Sequence, residues 1–243
     1  VSLTPQPSHA KKISDLLVGA FFEDINYAAD GGLYAELVQN RDFEYHPADK
    51  KYRDKNWNHQ TAWRAGPGNL SIDSVSPIHP NNRHYAVLND DLGNPVLINE
   101  GFGGIAVKAG EKYDCSAFVR IPTGKAGRIT WRLSDKKGNI LGAAFMKVPA
   151  GAGWKKLSAV ITANATVADA SIELISEQKG AIHLDMVSLF PQKTFKNRKN
   201  GLRADLAQAL ADMKPKFLRF PGGCVAHGDG IANIYRWKTT IGP

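Results

Sequence analysis

The chain has 243 residues, enough for one large domain or two modest ones with a buried core. Hydrophobic residues make up 43% and charged residues 22%, as in soluble globular proteins, and no apolar run approaches the roughly 18 residues that cross a bilayer. The net charge is +8, but the basic residues are scattered. We therefore expect a solvated basic surface, with neither nucleic acid nor membrane as a partner.

The first element is a predicted strand within residues 13–26. Its apolar run ends in Glu23, Asp24 and Asn26, as a strand of a parallel sheet ends at its functional edge. Residues 31–40 (GGLYAELVQN) predict a short helix, because Leu33 and Leu37 lie four apart. Residues 41–60 are polar and aromatic without a period, which is typical of a loop.

From residue 61 to about residue 191, short alternating runs recur without helical periodicity. The predicted strands cover residues 85–88, 105–107, 116–120, 129–133, 156–161, 170–175 and 183–189. Residues 91–94 (DLGN) and 136–139 (KKGN) have the composition of hairpin turns. This pattern predicts an antiparallel β-sandwich.

Helical periodicity returns at Asn200, a predicted cap, and is carried by Leu202, Leu206, Leu210 and Met213. Pro215 ends the predicted helix, and residues 216–220 predict a strand that Pro221 breaks. One strand and one helix at each end of the chain cannot bury both faces of a parallel sheet. A complete β/α barrel takes about 250 residues by itself, so we expect an unfinished α/β fold around the sandwich.

The two ends carry the resemblance to a known family. Residues 21–26 (FFEDIN) and 31–41 (GGLYAELVQNR) resemble the opening of family 51 glycoside hydrolases, the α-L-arabinofuranosidases. Residues 218–224 (LRFPGGC) and the segment that follows, from YRWK to IGP, resemble the second-strand signature of that family. The spacer, which ends in HLDMVSLFP at residues 183–191, resembles the carbohydrate-binding-module-like sandwich of one branch.

The resemblance implies a mixed fold, in which a jelly-roll-like antiparallel β-sandwich is inserted after the first strand of an incomplete (β/α) barrel. The predicted domains are residues 1–56 with the first barrel strand and helix, residues 57–192 with the sandwich, and residues 193–243 with a helix and the second barrel strand. The rest of the barrel is then a partner of this chain. The family also implies homo-oligomers for the parent protein.

The implied activity is that of a retaining hydrolase, which removes terminal non-reducing α-L-arabinofuranosyl residues from arabinan- or arabinoxylan-type glycans. Such enzymes place two carboxylates about 5 Å apart. In this family both come from later barrel strands, and neither motif occurs in the chain, so we expect no catalytic residue and no activity from it alone. No cofactor and no metal are expected, and the location is expected to be secreted or periplasmic. The alternatives are a non-catalytic carbohydrate-binding module and a purely structural sandwich.

Four residues are predicted to bind substrate. The resemblance aligns Glu23 with a glutamate that hydrogen-bonds sugar hydroxyls, and a carboxylate ending an apolar strand needs partners; the alternative is a structural ion pair with Arg219. Arg219 is predicted to orient Glu23 or a catalytic carboxylate. Cys224 follows the glycine turn where the family often places a substrate-lining residue, although a lone cysteine is more often a small buried group. Asn26 is weaker, because Asx residues often only shape turns.

Each of the remaining candidate residues also has a possible structural role. Gly222 and Gly223 are expected either to let a ligand approach the backbone closely or only to form a turn. His227 and Asp229 follow in the next loop, at the rim of the predicted site. A disulfide between Cys115 and Cys224 is poorly motivated. Trp131 shares a predicted sheet face with Ile129 and Leu133 and is expected in the core, whereas the sequence leaves open whether Trp57, Trp63 or Trp154 stacks on sugar.

Overall fold

The computed structural model describes residues 2–50, 54, 56–89, 95–177, 179–228, 230–231, 234–236 and 238. In this part of the chain the strands are β1 (Ala20–Phe21), β2 (Trp63–Arg64), β3 (Leu70–Asp73), β4 (Tyr85–Leu88), β5 (Val96–Asn99), β6 (Ile105–Val107), β7 (Lys112–Ile121), β8 (Gly127–Ser134), β9 (Ile140–Val148), β10 (Gly151–Thr162), β11 (Val167–Ser176), β12 (Ile182–Pro191) and β13 (Leu218–Arg219). The α-helices are α1 (Ala204–Asp212) and α2 (Cys224–His227), and three short 3₁₀ turns lie at Pro7–His9, Pro47–Lys50 and Phe195–Asn197.

Eleven of these strands form two antiparallel sheets. One sheet has the order β10-β7-β12-β4-β3 and the other has the order β2-β5-β11-β8-β9, with β6 also paired to β11. Their facing sides build one hydrophobic core, into which alternate residues of each long strand point. In β7, for example, the buried hydrophobic residues are Tyr113, Cys115, Ala117, Val119 and Ile121. The predicted antiparallel sandwich is therefore confirmed.

The seven strands predicted within the sandwich all lie inside observed strands. Trp131 is 0% exposed between the β8 neighbours Ile129 and Leu133, which confirms its predicted place in the core. The turn at 136–139 is also confirmed, since Asp135 Oδ1 accepts hydrogen bonds from the backbone N–H groups of Lys137 and Asn139. The turn predicted at 91–94 lies outside the described residues.

Sequence reasoning missed β2, β3, β5 and β9. The β9 strand (ILGAAFMKV) contains glycine and two alanines, so its apolar residues do not alternate clearly with polar ones. Tertiary pairing supplies what the local pattern lacks, because β9 pairs with β8 from Gly127 opposite Val148 to Ser134 opposite Ile140. Strand preference of this kind depends on the neighbouring strand more than on the residue itself.

The helix predicted over residues 31–40 is wrong. The backbone of this segment bonds to distant chain instead: Leu37 N–H donates to Leu189 O at 3.0 Å, and Ala35 N–H donates to Gly201 O at 3.2 Å. In return, Val187 N–H donates to Arg41 O at 2.9 Å. The bonds to Leu189 and Val187 hold the segment extended along β12, and the Val38 side chain packs in the hydrophobic core of the sandwich. Non-local pairing thus overrides the local helical spacing.

Glu36 fixes that extended segment against the sandwich. Its side chain is 2% exposed, and Oε1 accepts backbone hydrogen bonds from Leu37 and Val38 at 3.0 Å each and from Leu189 at 2.8 Å. Ser188 Oγ donates to Oε2, and the Arg41 guanidinium lies 3.5 Å from the same oxygen. Burial raises the pKa of the Glu36 carboxyl, and these donors oppose that rise. A buried carboxylate with this many partners is a structural anchor.

The helix predicted from Asn200 exists but begins later, at Ala204. Asn200 is not its cap: it has φ 50°, and Arg203 occupies the N-cap position without a side-chain cap bond. The intervening Leu202 forms an antiparallel bridge with Tyr34, and Arg203 N–H donates to Leu33 O at 2.9 Å. Pairing with the 31–40 segment therefore delays the helix by one turn. Within the described residues, no helix has the length and apolar character needed to span a membrane.

Candidate functional site at the ends of two parallel strands

The strands from the two ends of the chain lie side by side and run parallel. Ala20 of β1 is opposite Leu218 of β13, and Phe21 is opposite Arg219. The backbone ladder continues beyond the strands: Phe22 N–H donates to Arg219 O at 2.9 Å, and Asp24 N–H donates to Pro221 O at 3.0 Å. The observed strands are shorter than the predicted ranges 13–26 and 216–220. Because the strands are parallel, the polar residues after each of them share one edge.

Glu23 lies at that edge and is half-buried. Its Oε1 accepts a hydrogen bond from the backbone N–H of Val225 at 3.4 Å, so the carboxylate faces the glycine turn and the start of α2. The other bonding positions of its two oxygens point to no described protein donor. The carboxylate is therefore held in place by one backbone group and keeps acceptor capacity for a ligand hydroxyl.

The glycine turn is fitted closely around Glu23. Gly222 has φ 123°, and a Cβ there would lie 2.4 Å from the Cβ of Glu23. At Gly223 a Cβ would lie 3.4 Å from both carboxylate oxygens of Glu23. The first position thus requires glycine both for its backbone angle and for space, while the second keeps the approach to the carboxylate open.

Arg219 does not pair with Glu23. Its guanidinium lies 4.9 Å from the centroid of the Phe21 ring, and among the described residues no ion pair joins it to a carboxylate. The structural ion pair considered as an alternative for Glu23 is therefore not formed. Arg219 is exposed, with its donors free to turn towards an acidic or hydroxyl-rich neighbour.

Asn26 and Cys224 are both exposed at this edge. Asn26 has φ 52° and lies in the turn after β1, where the neighbouring Asp24 Oδ1 accepts a hydrogen bond from Ala29 N–H at 3.0 Å. Asp24 is thus a turn-shaping residue. Cys224 is the first residue of α2 and has a free thiol; Cys115 is also free and is buried, so the two form no disulfide. Asp229 lies outside the described residues.

The tryptophans of the sandwich have local partners. Trp63 is 5% exposed, and its Nε1–H donates to Asn40 O at 2.8 Å. Trp57 stacks on Tyr45 with ring centroids 4.3 Å apart. Trp154 donates from Nε1 to Ser76 O at 3.1 Å, and the Arg120 guanidinium lies 4.6 Å from its ring centroid. Two of them, Trp57 and Trp154, remain partly exposed.

Glu36 is the residue whose importance sequence reasoning missed. It lies within residues 31–41, whose local pattern predicts a helix and gives no role to the carboxylate. The available signal was a carboxylate within the apolar run around Leu33 and Val38, since a buried charge needs several partners. Its partners Ser188 and Leu189 lie about 150 residues away in the chain, so the sequence does not identify them.

Comparison with known proteins shows which families the chain is similar to. Residues 35–180 match the family model described as carbohydrate binding domain, and residues 209–243 match the α-L-arabinofuranosidase 1 domain. The chain is 38% identical to an extracellular exo-α-L-arabinofuranosidase of Streptomyces chartreusis, with 100% of this chain and 29% of the relative covered. It is 35% identical to α-L-arabinofuranosidase 1 of Arabidopsis thaliana, with 96% and 35% covered.

A solved structure supports the same fold. An arabinose-bound family 51 α-L-arabinofuranosidase superposes with a TM-score of 0.81 at 32% identity, covering 93% of this chain and 37% of that one. The chain therefore spans between 29% and 37% of the length of these three proteins. The resemblance noted in the end motifs is confirmed, and it applies to the N-terminal part of such proteins.

Proposed function

The chain belongs to the carbohydrate-binding domain family over residues 35–180, more than half of its length, and because it is also 38% identical along its whole length to an extracellular exo-α-L-arabinofuranosidase, we propose that it is the N-terminal part of a retaining α-L-arabinofuranosidase. The complete protein removes terminal non-reducing α-L-arabinofuranosyl residues from arabinan- or arabinoxylan-type glycans. The extracellular relative from Streptomyces chartreusis supports a secreted or periplasmic location. The parent's catalytic carboxylate pair lies in the chain that completes the barrel, so this chain alone is inactive.

The observation that carries the proposal is the parallel pairing of β1 with β13 across nearly 200 intervening residues. The first strand of a β/α barrel must pair with the second, and an inserted sandwich accounts for the distance between them. The exposed apolar surface around β1 and β13 supports the proposal that further chain covers this pair in the complete protein. Its exposed members are Ile13, Leu16, Leu17, Val18, Phe21, Phe217, Leu218 and Phe220.

In this assignment Glu23 binds hydroxyl groups of the arabinofuranosyl unit at the mouth of the barrel. Active sites of β/α barrels lie at the carboxyl ends of the strands, which is where Glu23 stands. Arg219 turns from the Phe21 ring towards a carboxylate of the completed barrel, while Asn26 and Cys224 line the rim. The domain limits 1–56, 57–192 and 193–243 belong to the same proposal.

The first test is release of 4-nitrophenol from 4-nitrophenyl α-L-arabinofuranoside by this chain and by its full-length parent. We expect activity from the parent alone. Activity from the chain alone would refute the placement of the carboxylates, and inactivity of both would refute the enzymatic assignment.

The second test concerns Glu23. In the parent, Glu23→Gln is expected to lower kcat/KM by about 100-fold, because a charge-assisted hydrogen bond to the sugar is lost. Glu100→Gln is the matched control, since Glu100 is an exposed glutamate that pairs with Arg64 on the sandwich. Equal activity of the two variants would exclude Glu23 from the substrate site.

Family membership supports a second candidate function, sugar binding by the sandwich itself. Trp154 is the partly exposed aromatic residue to test, because Ser76 and Arg120 already hold its indole in one orientation. Retardation of the chain in gels containing arabinan or xylan, lost in Trp154→Ala, would support this role. No retardation of the unmodified chain would leave the sandwich a structural element.

A further inference from the structure

We propose that Glu44, His59 and His84 form a binding site for one divalent transition-metal cation of the Zn²⁺ class. Each of the three offers one ligand atom, and these atoms all lie within 4.8 Å of one another. The cluster uses none of the residues at the edge that holds Glu23. It joins two points of the polar loop after residue 41 to the residue that precedes β4.

The three side chains are held in place independently of any ion. Glu44 Oε1 accepts a hydrogen bond from the backbone N–H of His84 at 2.7 Å, and Glu44 Oε2 lies 2.7 Å from His84 Nδ1. The rings of His59 and His84 stack with centroids 3.9 Å apart. The donors are thus assembled before a cation arrives, which lowers the entropic cost of binding it.

The protonation pattern of His59 favours coordination. Its Nδ1 lies 2.9 Å from the carbonyl oxygen of Phe43, which can only accept a hydrogen bond. Nδ1 therefore carries the proton, and the neutral ring keeps its lone pair on Nε2. A histidine whose second nitrogen donates to a backbone carbonyl is the usual arrangement at protein metal sites.

The dimensions of the cluster fit a small cation after modest side-chain rotation. Zinc–ligand distances of about 2.0–2.2 Å place tetrahedral donors about 3.4 Å apart. On binding, the proton that His84 Nδ1 donates to Glu44 Oε2 is released to solvent, and the 2.7 Å contact between these two atoms opens by about 0.7 Å. Any donor separation up to 4.8 Å must close by about 1.4 Å or less. The side chains of His84 and Glu44 are 28% and 27% exposed, which leaves a path for the ion and room for water as a further ligand.

The donor set selects the class of metal. Two imidazoles with one carboxylate suit zinc, copper, iron or nickel, whereas magnesium and calcium prefer an all-oxygen set. The sequence did not predict this site, because residues 44, 59 and 84 have none of the short spacings of local zinc motifs. Only the fold brings them together.

The test is titration of the chain, stripped with chelator, with ZnCl₂ in a non-chelating buffer, followed by calorimetry. We expect one saturable site. His59→Gln is the decisive variant, since it leaves the Glu44–His84 hydrogen bonds in place and supplies an amide that can donate to Phe43 O as the imidazole does; it should weaken binding by at least about 10-fold. His227→Gln, which removes an exposed imidazole from α2, is the matched control and should bind as the unmodified chain does.

Two further readouts separate coordination from a structural role. Zinc should raise the Tm of the unmodified chain and of His227→Gln, and not that of His59→Gln. Cobalt absorption bands should appear with one equivalent in the first two proteins only, and Mg²⁺ or Ca²⁺ should not compete. Absence of saturable zinc binding, equal binding by His59→Gln and His227→Gln, or displacement by Ca²⁺ would overturn the proposal.

Discussion

The sandwich and the β1–β13 pair are built from similar residues but differ in what covers them. Leu133 in β8 is 0% exposed, whereas Leu218 in β13 is 58% exposed. Both strands have hydrogen-bonded neighbours, so the difference is the second layer: the sandwich supplies a facing sheet and the pair does not. Backbone pairing alone positions a strand but buries little apolar surface, and burial is the dominant favourable contribution to folding. The pair is therefore positioned by its backbone bonds while its apolar side chains stay exposed.

The largest expected effect is in the sandwich. Leu133→Ala should lower the free energy of unfolding by about 2–5 kcal/mol, because it removes buried methyl groups and leaves a cavity in a closed core. Urea denaturation followed by circular dichroism measures the change. A loss under about 1 kcal/mol would mean that the two sheets are less tightly packed than their burial indicates.

The second prediction concerns a buried acid on β12. Asp185 is 0% exposed and accepts hydrogen bonds from Asn82 Nδ2 at 2.6 Å and Met186 N–H at 2.7 Å; burial raises its pKa to about 8. The unfolded chain releases this proton near pH 4. Unfolding between these values therefore releases a proton, and rising pH should destabilise the fold by at most about 1.4 kcal/mol per pH unit.

Asp185→Asn removes that dependence. Relative to the variant, the unmodified chain should lose stability between about pH 5 and pH 7 in urea titrations. Asp73→Asn is the control, since hydrogen bonds led by that from Val75 N–H lower the pKa of Asp73 and move its effect below this range. A constant difference between the unmodified chain and Asp185→Asn across the range would contradict a raised pKa at Asp185.

The third prediction introduces strain next to the β1–β13 pair and leaves the sandwich unchanged. Gly222→Ala would place a Cβ 2.4 Å from the Cβ of Glu23 at a φ of 123°. Hydrogen exchange of the Phe22 and Asp24 amides, which bond across the pair, should accelerate while β7 and β12 remain protected. Gly153→Ala is the control, because a Cβ there meets nothing within 4 Å. Unchanged exchange at Phe22 and Asp24 would show that the turn relaxes without moving β1.

The smallest effect is expected for Leu218→Ala, the counterpart of Leu133→Ala in the exposed pair. In this chain it should change the free energy of unfolding by less than about 0.5 kcal/mol. If the proposed barrel forms in the full-length parent, it covers this side chain, and the same substitution should then lower the free energy of unfolding by about 2–5 kcal/mol. An equally small effect in the parent would mean that this face of β13 stays uncovered.

The sequence by itself determined the elements whose pattern is local. Alternation along residues 116–120 and 129–133 predicts strands and places Trp131 in the core, because side chains of a strand point alternately to its two faces. The polar endings of the first and last apolar runs predict where two strands of a parallel sheet end, and the structure pairs these strands and brings Glu23 to Val225.

Tertiary structure alone decided the features that depend on distant partners. Residues 31–40 have helical spacing, yet their amides bond to β12 and Glu36 is buried against Ser188. Arg219 lies over the Phe21 ring and does not pair with Glu23. His59 and His84 are 25 residues apart in the sequence, and only the folded loop after residue 41 brings their rings into contact. Local propensity contributes tenths of a kcal/mol per residue, whereas a buried carboxylate or an unpaired amide costs several times more. Long-range partners therefore determine the conformation wherever the two conflict.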